Sequence, residues 1–289
     1  MDFELNETER MLQDTMIRIR EGIAGQEIDT QWAACAEAGL QGASVPEEFG
    51  GFGLGLIGAM LIAEQLGASC AALNWQRDAV LPAIALTALA QAGNGRPLDD
   101  FLSGARYQMG AGQGDMTRQL RLVEGAGATT LELVEDGAVT RVDLLPKVDA
   151  DLQIAAEVTA AADHLGAIQH LFDMTLDYTR TRQQFGRPLS SFQALQHRVV
   201  DMSIAVDESR ALIMAAGMAA TEGLPEAARL ATAAWSKVRK NGQRVAEEAI
   251  QLHGGIAMTA EYPVGDYVKR LIRNAHSLTT ASRSEPCVA

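Results

Sequence analysis

The chain has 289 residues, of which 47% are hydrophobic and only 5% aromatic, and it carries a formal net charge of −13. Such an acidic chain lacks the clustered lysine and arginine that a nucleic acid or an anionic membrane surface requires, so both partners are excluded. Its aliphatic, alanine-rich composition favours closely packed helices. The three cysteines are widely spaced, no apolar run approaches the length of a membrane span, and the N-terminus has no signal-peptide pattern, so we expect a cytoplasmic protein with reduced thiols.

The first third of the chain is predicted to be helical. Asn6 is the expected N-cap of a helix from Glu7 to about Glu21. The loop VPEEFGGFGLG follows a second helix, and it lacks the strand-then-helix setting of a nucleotide-binding fingerprint, so we assign it no phosphate role. Further helices are predicted over Thr30–Ala38, Leu56–Leu66, Ala79–Ala92 and a short stretch after Pro97.

The pattern changes between Tyr107 and about Val148. Short alternating or β-branched runs, among them LRLVEG, TTLELVED and AVTRVDLL, are separated by turn residues. They predict three to five short strands, which cannot be stable alone and must pack on the helices.

From Asp151 the periodicity is helical again. Helices are predicted through Gly166–Arg180 and over Ser190–Glu222, Pro225–His253 and Pro263–Asn274, with Ser190 or Ser191 as the N-cap of the second. Long helices joined by short turns are typical of a four-helix bundle.

Two segments interrupt these long helices. Tyr178–Gln196, YTRTRQQFGRPLSSFQALQ, is a basic, glutamine-rich turn, and Gln251–Val264, QLHGGIAMTAEYPV, ends a helix at Gly254 and Gly255. We expect these glycines to adopt left-handed conformations and to leave N–H groups uncovered, which beside an arginine would suit a phosphate. Each segment taken alone is more often a plain turn or a helix C-cap.

Together, RTRQQFGRPLSSFQALQ and QLHGGIAMTAEYPV resemble the flavin-binding C-terminal domain of the acyl-CoA dehydrogenase family, and GLQGASVPEEFGGFGLGLIGAMLIAEQLG resembles its N-terminal helical segment. The resemblance covers Met1 to about Arg273 with one interruption. It implies a mostly α fold with a shortened β middle segment. The expected division is a helical domain over 1–104, the β segment over 105–150, a four-helix bundle over 151–278 and a mobile tail over 279–289.

The resemblance also implies half of an FAD site. In this family one subunit holds the flavin ring while the neighbouring subunit contacts the ADP portion. By match to the family motifs, Arg182 and Gln193 would bind the pyrophosphate and adenosine side, and Phe185 would pack nearby. The residues expected to line the phosphates are Gln251, Leu252, His253, Gly254 and Gly255. The alternative is that these residues only pack the bundle, without FAD.

Other family features are missing. The segment MGAGQGDM lacks the family's Thr-Glu-Pro-x-x-Gly-Ser-Asp pattern, which faces the flavin ring. The two usual positions of the catalytic glutamate correspond to Leu278 and Ala156, so the remaining candidate bases are Glu157, one residue out of register, and Glu285 in the tail. The five histidines show no metal-ligand spacing, and no hydrolase nucleophile motif is present.

The resemblance therefore implies a short subunit of an α2β2 acyl-CoA dehydrogenase. Its partner would be a longer homologue, its substrate an acyl-CoA such as a steroid side-chain CoA, and its electron acceptor an electron-transfer flavoprotein or a similar protein. One alternative is a homo-oligomeric dehydrogenase that uses Glu157 or Glu285 as base. Another is a non-enzymatic scaffold that has lost FAD.

Overall fold

The computed structural model describes residues 5–110, 118–124, 129–259 and 261–281. The predicted mostly α fold is confirmed. The helices are α1 (Glu7–Ile23), α2 (Ile28–Glu37), α3 (Gly55–Ala68), α4 (Leu81–Gln91), α5 (Arg96–Leu102), α6 (Pro146–Thr181), α7 (Gln193–Thr221), α8 (Ala227–His253) and α9 (Val264–Ala281). The strands are β1 (Gln108–Met109), β2 (Arg118–Glu124), β3 (Thr129–Glu135), β4 (Ala138–Asp143), β5 (Gln183–Gln184) and β6 (Arg187–Pro188).

Helix α1 begins at the predicted residue. Asn6 caps α1 in a reciprocal capping box with Glu9: the Asn6 side chain accepts from the Glu9 N–H, and the Glu9 carboxylate accepts from the Asn6 N–H. A π-helical turn over Gln76–Val80 leads directly into α4, so this helical stretch starts earlier than Ala79. Such turns are rare and do not show in sequence periodicity.

The expected β region is a four-stranded sheet in the order β1-β2-β3-β4. The β1–β2 pair is parallel and the other two pairs are antiparallel. Leu120, Leu131 and Leu133 face the core, whereas nearly all of β4 is exposed at the edge of the sheet. The alternating pattern of the sequence corresponds to this one-sided burial.

Helix α6 is the central element, because α3, α7, α8 and α9 all pack against it. Helices α6 to α9 form the predicted bundle. The contact with α3 is unusually close: a Cβ on Gly166 would lie 1.8 Å from the Glu64 carbonyl oxygen, and one on Gly67 would lie 2.0 Å from that of Asp163. The two backbones therefore touch where these glycines cross.

A buried ion pair ties α9 to the same helix. Arg270 donates to both carboxylate oxygens of Asp163 on α6 and to the carbonyl of Ala71, which follows α3. Asn274 adds a hydrogen bond of 2.5 Å to Asp163. Arg270 is buried, so this pair joins three parts of the chain inside the core.

Some predicted boundaries are wrong. Neither Ser190 nor Ser191 caps α7: the N-cap is Phe192, no side chain caps the helix, and the Ser191 hydroxyl donates to the Pro188 carbonyl. Helix α6 starts at Pro146, because a proline fits the first turn, and not after Ala150. Helix α9 runs to Ala281, seven residues beyond Asn274, and residues 282–289 lie outside the described chain.

Candidate functional site

The first segment of the candidate site is the arginine turn, residues 182–192. Strands β5 and β6 form a hairpin here, with Gln184 paired to Arg187 across a two-residue loop of Phe185 and Gly186. Both loop residues have positive φ, 54° and 78°, which is the pattern of a type I′ turn. The Phe185 side chain is 92% exposed. The hairpin thus holds a phenylalanine out in solvent at its tip.

Exposed cations surround this tip. Arg182 and Arg187 have no ion-pair partner among the residues that the structure describes, whereas Arg180 lies 3.6 Å from Asp177. The guanidinium of Arg187 lies over the Phe192 ring, 4.0 Å from its centroid. The free guanidinium of Arg182 is an available donor for an anion such as a phosphate.

The second segment is the glycine segment, residues 251–255. Helix α8 ends at His253, and Gly254 follows with a φ of 65°. The expectation of an uncovered amide is wrong at Gly254, because its N–H donates to the Ile250 carbonyl and closes the last turn. Gly255 does not have the expected left-handed conformation either. A Cβ at Gly254 or Gly255 would meet no atom within 4 Å, so this backbone is open to approach.

A set of rings joins the two segments. We call Tyr178, His253 and Tyr262 the ring cluster. The His253 ring stacks on Tyr178 at a centroid distance of 4.4 Å and lies 5.2 Å from Tyr262. Its Nδ1 is 2.8 Å from the Ala249 carbonyl oxygen, and burial lowers the pKa of the ring. The neutral ring therefore donates from Nδ1, and its buried Nε2 has no partner among the described residues.

The other predicted FAD residues fall into two groups. Gln193, at the first position of α7, and Gln251 are exposed. Leu252 and His253 are buried in the chain, so only their backbone could face a ligand. Sequence reasoning did not assign Tyr178 and Tyr262, although both lie inside the two segments that it singled out.

Of the two candidate bases, only Glu157 lies among the described residues. Glu157 accepts a hydrogen bond of 2.7 Å from the Thr232 hydroxyl of α8, which directs its carboxylate along the α8 side of the bundle. Leu278 belongs to α9, whereas Glu285 and most of MGAGQGDM lie outside the described residues. Within the described part of the chain, no group of three or more His, Cys, Asp or Glu side chains could hold a metal ion. None of its helices combines the length and apolarity that a membrane span needs.

The family model for the acyl-CoA dehydrogenase N-terminal domain matches residues 6–103, and that for the acyl-CoA dehydrogenase C-terminal domain matches residues 156–282. The chain is 32% identical over 263 residues to the acyl-CoA dehydrogenase IpdE2 of Mycobacterium tuberculosis, covering 84% of this chain and 80% of the relative. It is 30% identical over 273 residues to IpdE2 of Mycolicibacterium smegmatis, covering 84% and 81%.

Two solved structures share the fold. One is described as the Tcur3481-Tcur3483 steroid ACAD G363A variant and has a TM-score of 0.82 at 24% identity, covering 96% of this chain and 95% of the other. The other is the ChsE4-ChsE5 complex from Mycobacterium tuberculosis, with a TM-score of 0.81 at 22% identity and coverage of 98% and 96%.

Proposed function

This chain belongs to the acyl-CoA dehydrogenase family, and from that membership we propose that it is a subunit that completes an interfacial FAD site in a hetero-oligomer. The partner is a longer homologue that supplies the flavin-ring pocket and the catalytic glutamate. Two structural neighbours support such an assembly: the Tcur3481-Tcur3483 steroid ACAD, which has a paired name, and the ChsE4-ChsE5 complex.

The observation that carries the proposal is Phe185. A large apolar side chain gains nothing from 92% exposure, and a non-glycine residue at a φ of 54° adds backbone strain. The exposure and the positive φ of Phe185 are explained if its ring packs against a molecule outside this chain. Gly255 supports the same conclusion, because neither its φ nor its packing requires glycine here.

The residues fit the ADP half of FAD. Arg182 would donate its guanidinium to the pyrophosphate, Gln193 would hydrogen-bond the adenosine side, and Phe185 would pack beside it. Gln251 and the backbone of Gly254 and Gly255 would line the phosphates. When bound, FAD supplies the hydride acceptor for α,β-dehydrogenation of an acyl-CoA. What this chain contributes is cofactor retention and orientation.

The proposed substrate is an acyl-CoA of the steroid side-chain type, since one structural neighbour is a steroid ACAD. The proposed electron acceptor is an electron-transfer flavoprotein or a similar protein. Neither assignment depends on a residue of this chain, so both are tested on the assembled complex with candidate thioesters and acceptors.

The direct test is Arg182→Ala in the complex of this chain with its partner. Loss of one charge-assisted contact should lower FAD affinity by roughly ten- to a hundredfold. Arg182→Lys should restore it only in part, because an ammonium cannot reproduce the planar fork. Flavin absorbance of the purified complex measures occupancy. Arg229→Ala is the control, since Arg229 is an exposed arginine near the opposite end of α8.

Activity separates the proposal from its rivals. The chain alone, with FAD supplied, should show no acyl-CoA dehydrogenation, and the complex should be active, because removal of the α-proton needs a positioned carboxylate. Turnover by the chain alone that is abolished by Glu157→Gln would instead identify a homo-oligomeric dehydrogenase. A complex that purifies without flavin would identify a scaffold.

A further inference from the structure

We propose that the ring cluster of Tyr178, His253 and Tyr262 is a positioning device that holds the arginine turn and the glycine segment as one unit, so that both bind the ADP half of the same FAD together. This inference rests on the function proposed above. It assigns a role to Tyr178 and Tyr262, which the proposed function leaves without one.

His253 is fixed at three points. Its ring lies against Tyr178 with an interplanar angle of 28°. Its Nδ1 donates to the Ala249 carbonyl, 2.8 Å away, within α8. Its own carbonyl accepts from the Tyr178 hydroxyl at 3.4 Å. Since Gly254 and Gly255 follow directly in sequence, the course of the glycine segment is set by this residue.

Tyr178 connects this anchor to the other segment. The Arg182 N–H donates to the Tyr178 carbonyl at 2.8 Å, and the Arg182 carbonyl accepts from the Leu189 N–H at 2.9 Å across the base of the hairpin. The hairpin is therefore joined to Tyr178 by the Arg182 backbone hydrogen bond, and Tyr178 is joined to His253 by a ring stack and a hydrogen bond. Tyr262 closes the cluster edge-on, 6.3 Å from Tyr178.

The electrostatics explain why such fixation matters. Helices α6 and α8 both present their C-terminal ends at this place, and the carbonyl groups of a helix C-terminus disfavour an anion. A pyrophosphate is retained here only if the Arg182 charge stands at the right distance from the backbone beyond α8. The His253 ring supplies no compensating charge, because burial lowers its pKa and keeps it neutral. Its contribution is therefore position and not charge.

The experiment measures the FAD dissociation constant of the complex by titrating the apo-complex with FAD. His253→Ala and Tyr178→Leu should each raise it by about three- to tenfold, as expected for the loss of an aromatic contact that fixes geometry. The matched control is His170→Ala, which breaks a similar stack of His170 on Tyr267, with centroids 4.8 Å apart, that touches neither segment. The control should change the dissociation constant by less than about twofold.

A double-variant cycle separates positioning from simple stability. If the segments act as one unit, adding Arg182→Ala to His253→Ala should raise the dissociation constant by less than the product of the two single effects. The inference is overturned if the double variant raises the dissociation constant by the full product of the two single effects. It is also overturned if His253→Ala and Tyr178→Leu raise the dissociation constant no more than His170→Ala does. Should His253→Ala prevent assembly, Tyr178→Leu replaces it in the same cycle, and an unchanged dissociation constant in Tyr178→Leu also overturns the inference. An Arg182→Ala complex with normal affinity overturns the proposed function itself.

Discussion

Phe185 occupies a backbone conformation that asparagine, aspartate and glycine adopt more readily than any aromatic residue. The chain contains its own comparison. The hairpin between β3 and β4 has the same two-residue loop, with Asp136 at a φ of 48° and Gly137 at 81°. The β3–β4 turn has Asp136, which this geometry favours, at its first loop position, whereas the β5–β6 turn has Phe185 at the same position.

Substitutions at Phe185 and at Asp136 should therefore change the stability of the chain in opposite directions. Phe185→Asn should stabilise the isolated chain by about 1 kcal/mol, because strain at positive φ is relieved, while FAD affinity of the complex falls about three- to tenfold. Asp136→Phe should destabilise the chain by a similar amount and leave FAD affinity unchanged. Urea denaturation and flavin titration measure the two quantities. A stable Phe185→Asn complex with full FAD affinity would contradict a cofactor role for the ring.

Because His164 is buried, we expect the folded chain to lose stability at acidic pH. It packs edge-on to Trp235 inside the bundle, and burial, with smaller contributions from Arg270 and Arg239, lowers its pKa from 6.5 to about 3. Between these values the unfolded chain binds a proton that the native chain does not. The stabilisation is thus complete above about pH 6.5 and is lost as the pH falls toward 3.

The measurement is the free energy of unfolding against pH for the native chain and for His164→Leu. One proton corresponds to about 1.4 kcal/mol per pH unit, so the native slope between pH 5 and 6 should exceed that of the variant by about this amount. The carboxylates contribute equally to the slopes of both proteins, so they do not affect the difference between the slopes. Equal slopes would mean that the buried ring accepts its proton without penalty.

Individual residues also show where sequence reasoning ends. The motif match predicts a cofactor role for Arg182 and Phe185, whose side chains are exposed, and also for Leu252 and His253, whose side chains are buried. Position in a motif does not tell which way a helix face points. The Tyr178–His253 stack joins residues 75 positions apart, and no local pattern contains it.

At the scale of elements, the crossing of α3 and α6 depends on two glycines. Gly166→Ala would gain about 0.5–1 kcal/mol of helix propensity, yet its Cβ would strike the backbone of Glu64, which cannot rotate away. We expect net destabilisation by about 1–3 kcal/mol, measured by urea denaturation. Gly22→Ala in α1 is the matched control, because its Cβ would meet nothing within 4 Å, and it should be neutral or stabilising. A stabilised Gly166→Ala chain would show that the helices separate without penalty.

The order of helices and strands could be read from the sequence because hydrophobic periodicity changes from helical to alternating and back. The exact first residue of most helices and strands could not be read from the sequence. The turn after β5 and the cap of α7 depend on Arg187 packing over Phe192 and on the hydroxyl of Ser191, which bonds to Pro188 and not to the helix. Such tertiary and turn contacts override the usual preference for a serine N-cap.

At the scale of the whole molecule, α6 spans 36 residues, about 54 Å, and links the end of the sheet to the arginine turn. The buried Arg270–Asp163 pair attaches α9 and the chain after α3 to this helix. The two residues are 107 positions apart, so no local sequence pattern indicates their pairing.

Breaking this pair should be costly. Arg270→Met leaves the Asp163 carboxylate buried without its main partner, which we expect to destabilise the chain by about 3–5 kcal/mol. Arg244→Ala, which removes a partly exposed pair with Asp201 at 2.9 Å, should cost at most about 1 kcal/mol. Chemical denaturation of both variants tests the difference. Equal losses would indicate that Asp163 relaxes toward solvent.

The edge of the sheet has a consequence for the isolated chain. Strand β4 offers one row of backbone donors and acceptors that no described strand covers, and such an edge can template intermolecular pairing. Alternating charges stand along it: Arg141 pairs with Glu132 at 2.7 Å, and Asp143 accepts from Thr130 at 2.8 Å. We therefore expect these charges to oppose the pairing of this edge with a strand of a second copy, which would limit aggregation of the isolated chain.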